Sequence, residues 1–363
     1  MKIALVSTPS VSVPPRMYGG TELFVFNLAS ELVRRGHEVY LFATGDSHVE
    51  GVALGYFYQK AQWPPCKTHD ERHLHSAVQW LKDLASDGIE IDVVHWNTPF
   101  AVRYAGEISI PSLLTWHNHL DENLSTLYLD HQEVQYVAIS GRQKAMEVEL
   151  PLITVIHHGL DPSGYISDSV RTDRTDRPSA VFLGRMAPEK GPDIAIRAAR
   201  KAGYHLSLAG PVHEKDVDFY DRSVRPLLGP DVSVIGEVGG QKKTDLLSQG
   251  DAFLFPIGWE EPFGLVMIEA MFCGTPVVAF RKGSAPEVVE EGVTGFLVET
   301  EEEMVDVLKN KIPSIDREGI RKRAIERFSS GEMCRKYLSL YRKMADGNKG
   351  IKSLKTFVDS IAD

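Results

Sequence analysis

The chain has 363 residues, enough for two domains, and its 43% hydrophobic and 25% charged content is an ordinary globular mix that excludes general disorder. Its 40 basic and 50 acidic side chains leave a formal charge of −10, which argues against nucleic acid as the main partner while permitting a nucleotide in a local basic pocket. Three well-separated cysteines, Cys66, Cys273 and Cys334, show neither metal spacing nor a disulfide framework, and point to a reducing, cytoplasmic setting.

The first apolar run, Ile3 to Val6, has no polar alternation, as in a parallel strand covered on both faces. Pro9, Pro14 and Pro15 break the chain soon after it, so the run reads as a strand and not as a secretion signal. From Thr21 to Arg35, two rows step by four: Phe24, Leu28 and Leu32, then Val25, Ala29 and Val33. That spacing predicts a helix ending at Gly36. Val39–Phe42, Asp92–His95, Ser112–Trp116, Val134–Ile139 and Ile153–Ile156 read as strands, with helices near His73–Leu84 and Arg142–Val148.

Asp161 to Pro178 has turn residues and a charged run with little to bury, which predicts an interdomain connector. After it the rhythm restarts. Strands are expected at Ala180–Leu183, Leu206–Ala209, Val232–Ile235, Ala252–Phe255 and Val277–Phe280, with helices near Pro192–Lys201, Lys243–Gln249, Leu265–Phe272 and Glu301–Lys309. The tail is helical in pattern, with the stripe Tyr337, Leu338, Leu340, Tyr341 and Met344 continued by Ile351, Leu354, Phe357, Val358 and Ile361. Such alternation implies right-handed βαβ units, hence an α/β fold of two doubly wound halves with a cleft between them. No apolar run approaches the ~18 residues of a membrane span. The charge-bearing segments Lys67–Arg72 and Arg142–Glu149 are mixed in sign, so no stable membrane anchor is expected.

Four clusters fall where strands end and helices begin, the edge at which open α/β sheets bind ligands. Tyr18-Gly19-Gly20-Thr21-Glu22 pairs two glycines at a helix start, where backbone N–H groups can approach an anion. A plain tight turn is the alternative, and the spacing is not that of a dinucleotide binder. Gly184 to Pro192 carries Arg185 and Lys190 after a strand; the two cations can converge on a pyrophosphate or be solvated turn charges. Glu260 to Ala270 places Glu261 ahead of a helix and Glu269 within it, among apolar neighbours. A carboxylate there needs a partner, either ribose hydroxyls or a nearby Lys or Arg. Thr115 to Asp121 puts His117 and His119 at a strand end, where a metal is imaginable but has no evident third ligand.

Taken together, and in this order, the clusters resemble the retaining glycosyltransferases of family four, which have the GT-B fold, over nearly the whole chain. The Glu-x7-Glu pattern is Glu261 to Glu269. The stretches Pro14–Glu22 and Arg34–Asp46 look like a subgroup acting on soluble small-molecule or saccharide acceptors. The resemblance implies an acceptor-side Rossmann-like domain over 1–165, completed by C-terminal helices at about 335–363 that cross back. A linker over 166–178 and a nucleotide-sugar-binding domain over 179–334 complete the expected layout.

The resemblance also implies roles. Gly19 and Gly20 would lie against the donor diphosphate or sugar, and Arg185 and Lys190 would bind the diphosphate. Glu261 would hold sugar hydroxyls, and the amides from Phe263 through Gly264 to Leu265 would contact sugar and phosphate. Glu269 would accept the ribose hydroxyls, Val238 would sit by the base, and His117 would face the transferred sugar. His117, Arg185, Lys190 and Glu261 are thus the expected catalytic set.

The usual Asn-Gly-x-Asp turn appears as His158-Gly159-Leu160-Asp161, which puts its local hydrogen bonds in question. An Asp-x-Asp metal signature has no convincing counterpart; Asp216-Val217-Asp218 is nearest, in an expected surface segment. The resulting expectation is a metal-independent hexosyltransferase without a cofactor, using a nucleoside diphosphate sugar, best guessed as UDP-glucose. The alternatives are a nucleotide-sugar epimerase of the same fold and a non-catalytic sugar-nucleotide-binding protein.

Overall fold

A computed structural model of the chain describes residues 1–17, 19–166 and 177–362, with residues 348–362 by backbone alone. The chain divides into two compact units, residues 1–159 with 330–363, and residues 160–329.

In the first unit the strands are β1 (Lys2–Val6), β2 (Glu38–Ala43), β3 (Val52–Tyr56), β4 (Val93–Trp96), β5 (Ser112–Trp116), β6 (Gln135–Ala138) and β7 (Ile153–Val155). They form a parallel seven-stranded sheet in the order β3-β2-β1-β4-β5-β6-β7. Successive residues of β1 face opposite sides, which is why its apolar run is continuous. Ile3 and Leu5 join a core with Phe24, Leu28 and Leu32 of the helix Gly20–Arg34 and with Tyr337 and Tyr341 of the helix Ser330–Ala362. Ala4 and Val6 join the opposite core, with Leu74, Val78 and Leu81 of the helix Lys67–Ser86. Strand order reverses between β1 and β4, and this opens a crevice at their carboxyl ends.

In the second unit β8 (Ser179–Leu183), β9 (His205–Ala209), β10 (Val232–Gly236), β11 (Ala252–Phe255), β12 (Val277–Phe280) and β13 (Gly295–Val298) form a parallel sheet in the order β10-β9-β8-β11-β12-β13. The reversal lies between β8 and β11. Phe182, Leu208, Leu254 and Val278 pack with Ile196 and Ala199 of the helix Pro192–Ala202. Gly210, at φ 136°, passes so close to the end of β8 that a Cβ would stand 1.9 Å from the Gly184 carbonyl oxygen.

Among the described residues β3, β13 and the helix Glu122–Leu129 are additional to the elements expected from the sequence, along with short helices such as Val102–Ala105 and Ala285–Val288. Edge strand β3 is largely exposed and contains Gly55, where a Cβ would meet the Trp80 ring at 2.4 Å. β13 is four residues long, and the helix Glu122–Leu129 buries Tyr128 alone. None carries the periodicity on which a local reading depends. The chain leaves the first unit after Gly159 and re-enters it at Ser330, where the sequence placed these boundaries at 165 and 334. Tyr165 belongs to the second unit because its ring is buried against Phe272. The expected linker falls mostly on residues 167–176, outside the described residues, and Ile351, Leu354, Phe357, Val358 and Ile361 fall on the stretch described by backbone alone. Among the described residues no helix is long and apolar enough to cross a membrane.

Candidate active site

In the second unit, β8 delivers the segment with Arg185 and Lys190. The Gly184 amide donates to the Ala209 carbonyl at 3.0 Å and the Met186 amide to the Pro211 carbonyl at 2.9 Å, with the Met186 side chain buried. These anchors leave Arg185 between them, partly exposed. Its guanidinium donates to the Glu189 carboxylate, and its Nε lies 3.1 Å from Asp216 Oδ2. The Asp216 contact is a charge contact without hydrogen-bond alignment. Asp216 is 5% exposed, which corrects its assignment to a surface segment; the chain turns it inward beneath Arg185 and leaves Asp218 in solvent.

Lys190 ends a short 3-10 turn, Pro188–Lys190, closed by Gly191 at φ 69°. A Cβ on Gly191 would stand 2.3 Å from the Pro256 carbonyl oxygen, so the turn requires glycine. Lys190 Nζ donates to Glu261 Oε2 and sits over the Trp259 ring at 4.9 Å. Trp259 Nε1–H donates to the same carboxylate oxygen at 2.9 Å.

Glu261 lies on the loop from β11 to the helix Leu265–Phe272. The turn at Gly283 and Ser284 braces that loop. The Gly283 amide donates to Glu260 Oε2 at 2.9 Å, the Ser284 amide to the Glu261 carbonyl at 2.9 Å, and Ser284 Oγ to the Phe263 carbonyl at 2.6 Å. Gly264 caps the helix in the left-handed conformation at φ 76°, with Phe263 buried behind it and Leu265 half-buried in the first turn. The first amides of a helix lack intrahelical partners and carry its positive end.

Glu269 is 3% exposed inside this helix. Its partners are Lys243 and the Tyr165 hydroxyl, which donates at 2.8 Å, both to Oε1. Of the two partners expected for this carboxylate, ribose hydroxyls or a nearby Lys or Arg, the protein cation is present: Lys243, with the Tyr165 phenol, satisfies its Oε1. Burial, and then the neighbouring Glu269, push the Tyr165 hydroxyl well above its usual range, so it stays a donor. Val238 stands half-buried in the coil between β10 and the helix Gly240–Gln249.

In the first unit, Gly19 precedes and Gly20 opens the helix Gly20–Arg34. A Cβ on Gly19 would stand 2.8 Å from Pro15 Cβ and 3.0 Å from Glu22 Oε2. Glu22 is buried and accepts from the Thr8 hydroxyl; burial raises its carboxyl above the usual range.

His117 follows β5. Its Nε2 lies 2.9 Å from Asn97 Oδ1. The Asn97 amide nitrogen donates to the Val6 and His95 carbonyls at 3.2 and 3.4 Å, so the amide oxygen faces the ring and His117 Nε2 carries the proton. Among the described residues His117 Nδ1 has no hydrogen-bond partner, and the atom is buried. Burial pushes His117 down to about 3, so the ring is neutral near pH 7. Beneath it, the buried His95 bonds Tyr341 at 2.6 Å and Thr115 at 2.7 Å, and Thr115 bonds Tyr337 at 2.9 Å.

His119 Nδ1 bonds Glu147 at 2.6 Å. Among the described residues no group of three or more His, Cys, Asp or Glu gathers as metal ligands do. His158 takes the place of the usual turn asparagine by stacking on His117, while Asp161 accepts from the Ser163 amide at 3.0 Å. Thr8, Thr21, Asn97, His117, His119 and Tyr128 line a cleft of about 410 Å³, its open mouth included.

The profile described as "Glycosyltransferase Family 4" matches residues 18–164, and that of "Glycosyl transferases group 1" matches residues 168–327. The chain belongs to the family-four glycosyltransferases. With its two parallel sheets, the glycosyltransferase has the GT-B fold. It is 29% identical over 334 residues to the D-inositol 3-phosphate glycosyltransferase of Mycobacterium bovis, covering 77% of this chain and 68% of that one. Among solved structures it resembles AviGT4, a glycosyltransferase involved in avilamycin A biosynthesis, at TM-score 0.73 and 26% identity, over 96% and 98% of the two chains. A likeness of fold extends to Anabaena HepE in complex with UDP and glucose, at TM-score 0.72 and 20% identity over 94% and 99%.

Within the glycosyltransferase the structure joins Lys190 to Glu261 and leaves Arg185 and Glu269 with separate partners. Trp259, Lys243, Tyr165 and Asn97 are not among the site residues expected from the sequence, and Asp216 entered there only as part of a surface segment. Trp259 alone left a signal, an aromatic two residues before Glu261.

Proposed function

We propose that this glycosyltransferase moves a hexose, with retention at the anomeric carbon, from a nucleoside diphosphate sugar to a hydroxyl of a soluble saccharide or small-molecule acceptor in the cytoplasm. The reading rests on one juxtaposition at the β8–β11 reversal. A loop with two cations, Arg185 and Lys190, is tied through Lys190 to Glu261, just ahead of a helix start. A diphosphate offers those cations the negative charge that Glu189, Asp216 and Glu261 now supply, and sugar hydroxyls can bond the released Glu261.

The bond from the anomeric carbon to the diphosphate oxygen breaks through an oxocarbenium-like state. The acceptor oxygen forms the new bond and its proton passes to the leaving diphosphate. Arg185, Lys190 and the amides at Phe263 to Leu265 stabilise the charge that collects there, the work a divalent ion does in other transferases. No cofactor enters this scheme. His117, neutral and fixed by Asn97, orients and does not protonate. The transferase reading is preferred to epimerisation because the second unit presents cations for a leaving group and keeps Glu269 paired.

A donor screen by calorimetry tests the reading, starting with UDP-glucose, followed by mass spectrometry of products formed from a lysate with the best donor. Donor binding and a mass gain of one hexose on an acceptor are expected, with activity retained in EDTA. Conversion of the donor alone to an epimer overturns it, and an EDTA loss reversed by manganese overturns the metal-independent scheme.

A further inference from the structure

The cleft at the carboxyl ends of β1, β4 and β5 has a charge pattern that the proposed transfer does not by itself require. We infer that this cleft takes an uncharged, hydroxyl-rich ligand, a neutral sugar or polyol, and discriminates against a phosphorylated one. The inference rests on the transfer reading only in making that ligand the acceptor.

Among the described residues that line the cleft there is neither lysine nor arginine. Two carboxylates stand beside it. Glu22 stands behind Thr8, and Glu147 holds His119 Nδ1 at 2.6 Å and the Leu120 amide at 3.2 Å. His117 adds no charge, because desolvation keeps its ring neutral. The start of the helix Gly20–Arg34 favours an anion, but Glu22 in its first turn already provides one. A phosphate entering here would therefore lose its water and meet like charge with no cation in return among the described lining residues.

The uncharged groups suit hydroxyls. With Glu22 ionised, Thr8 has given its only proton to that carboxylate and also receives the Ser10 amide at 3.3 Å. Its oxygen then presents a remaining lone pair to a ligand's O–H. Thr21 offers a second hydroxyl and Asn118 an exposed amide, while Leu120 and Leu124 provide apolar contact for the C–H face of a ring. The enclosed space is about 70 Å³, below the roughly 300–1,000 Å³ of small-ligand sites, so a ring would seat one hydroxyl-bearing edge there and leave the rest in the open mouth.

The test uses the full chain and two matched ligand pairs, glucose with glucose 6-phosphate and myo-inositol with myo-inositol 1-phosphate. Binding is read by saturation-transfer NMR, with and without UDP, at low and physiological salt. In at least one pair the neutral member is expected to bind about tenfold tighter or more, the scale of a like-charge penalty. Thr8→Val should weaken neutral binding severalfold, and Glu22→Gln should narrow the gap between the members of the pair. Equal or tighter binding of the phosphorylated member overturns the inference, and so does absence of binding by both neutral ligands. The unaltered protein decides both outcomes even if a variant fails to fold. UDP calorimetry on the same sample separates the two readings: absent UDP binding sinks the transfer reading and leaves the cleft's preference to be judged by the ligand pairs.

Discussion

The rings of His117 and His158 lie stacked, with centroids 5.4 Å apart and planes 12° from parallel. Phe24 packs against both, at 4.9 and 5.0 Å. Two imidazoles so placed cannot both be charged. Burial takes His158 well below its usual value, as it takes His117 and His95 to about 3 and His73 to about 4.

All four histidines belong to the unit formed by residues 1–159 and 330–363. An unfolded histidine titrates near about 6.5, so below that pH the unfolded chain binds more protons than the folded one. Stability is full above this value and falls as pH drops toward the folded values. Glu22, raised by burial, opposes the trend in part. The melting temperature should hold steady above about pH 6.5 and decline below it. Hydrogen exchange should then show protection lost first in the histidine-bearing unit. Undiminished melting down to about pH 4.5 would refute this account.

Arg185→Ala or Lys190→Ala should each reduce kcat about 10²–10³-fold, the effect of removing one electrostatic stabiliser of a leaving group. Steady-state kinetics with the best donor provides the measurement. Near-normal turnover in both variants would remove the diphosphate clamp from the scheme.

Lys243→Met should destabilise the protein toward the lower end of about 3–5 kcal/mol, because Glu269 then keeps a buried charge with only Tyr165 to satisfy it. Its side chain is 3% exposed, against 21% for Lys243, which tempers the loss. Chemical denaturation measures the change. Adding Glu269→Leu should recover much of it, and failure to do so would mean that Lys243 contributes packing and not charge.

Tyr341→Phe should cost about 1–3 kcal/mol, since it leaves the fully buried His95 Nδ1 without its hydroxyl partner. Thr115 still holds the other nitrogen, so the fold survives and the loss can be read from a urea midpoint. An unchanged midpoint would show that the His95 bond contributes nothing net.

Much of the architecture was legible because it depends on local periodicity. The Phe24, Leu28, Leu32 row declares its helix, and the unbroken Ile3–Val6 run declares a strand covered on both sides. β3 and β13 were not legible, being short and set at sheet edges with little pattern. Site positions were legible where a strand end coincided with unusual residues, as at Arg185 and His117. Their partners were not. Glu269 meets Tyr165 across 104 positions of chain, and Asp216 reaches Arg185 only because Gly210 lets the ends of β8 and β9 approach. Spacing along a sequence holds no record of such meetings, and charge balance said only that Glu269 needed some partner.

The chain interrupts one unit to build the other. Residues 160–329 are contiguous and become complete while the ribosome is still at work. The β1–β7 sheet cannot be finished until Tyr337 and Tyr341 arrive to close the face over Ile3, Leu5 and His95. During synthesis the earlier-made sheet must therefore wait, with part of its apolar side uncovered, for the segment from Ser330 onward, which is translated after residues 160–329. A stalled or truncated nascent chain would present that face to chaperones, while its later-made half is already folded.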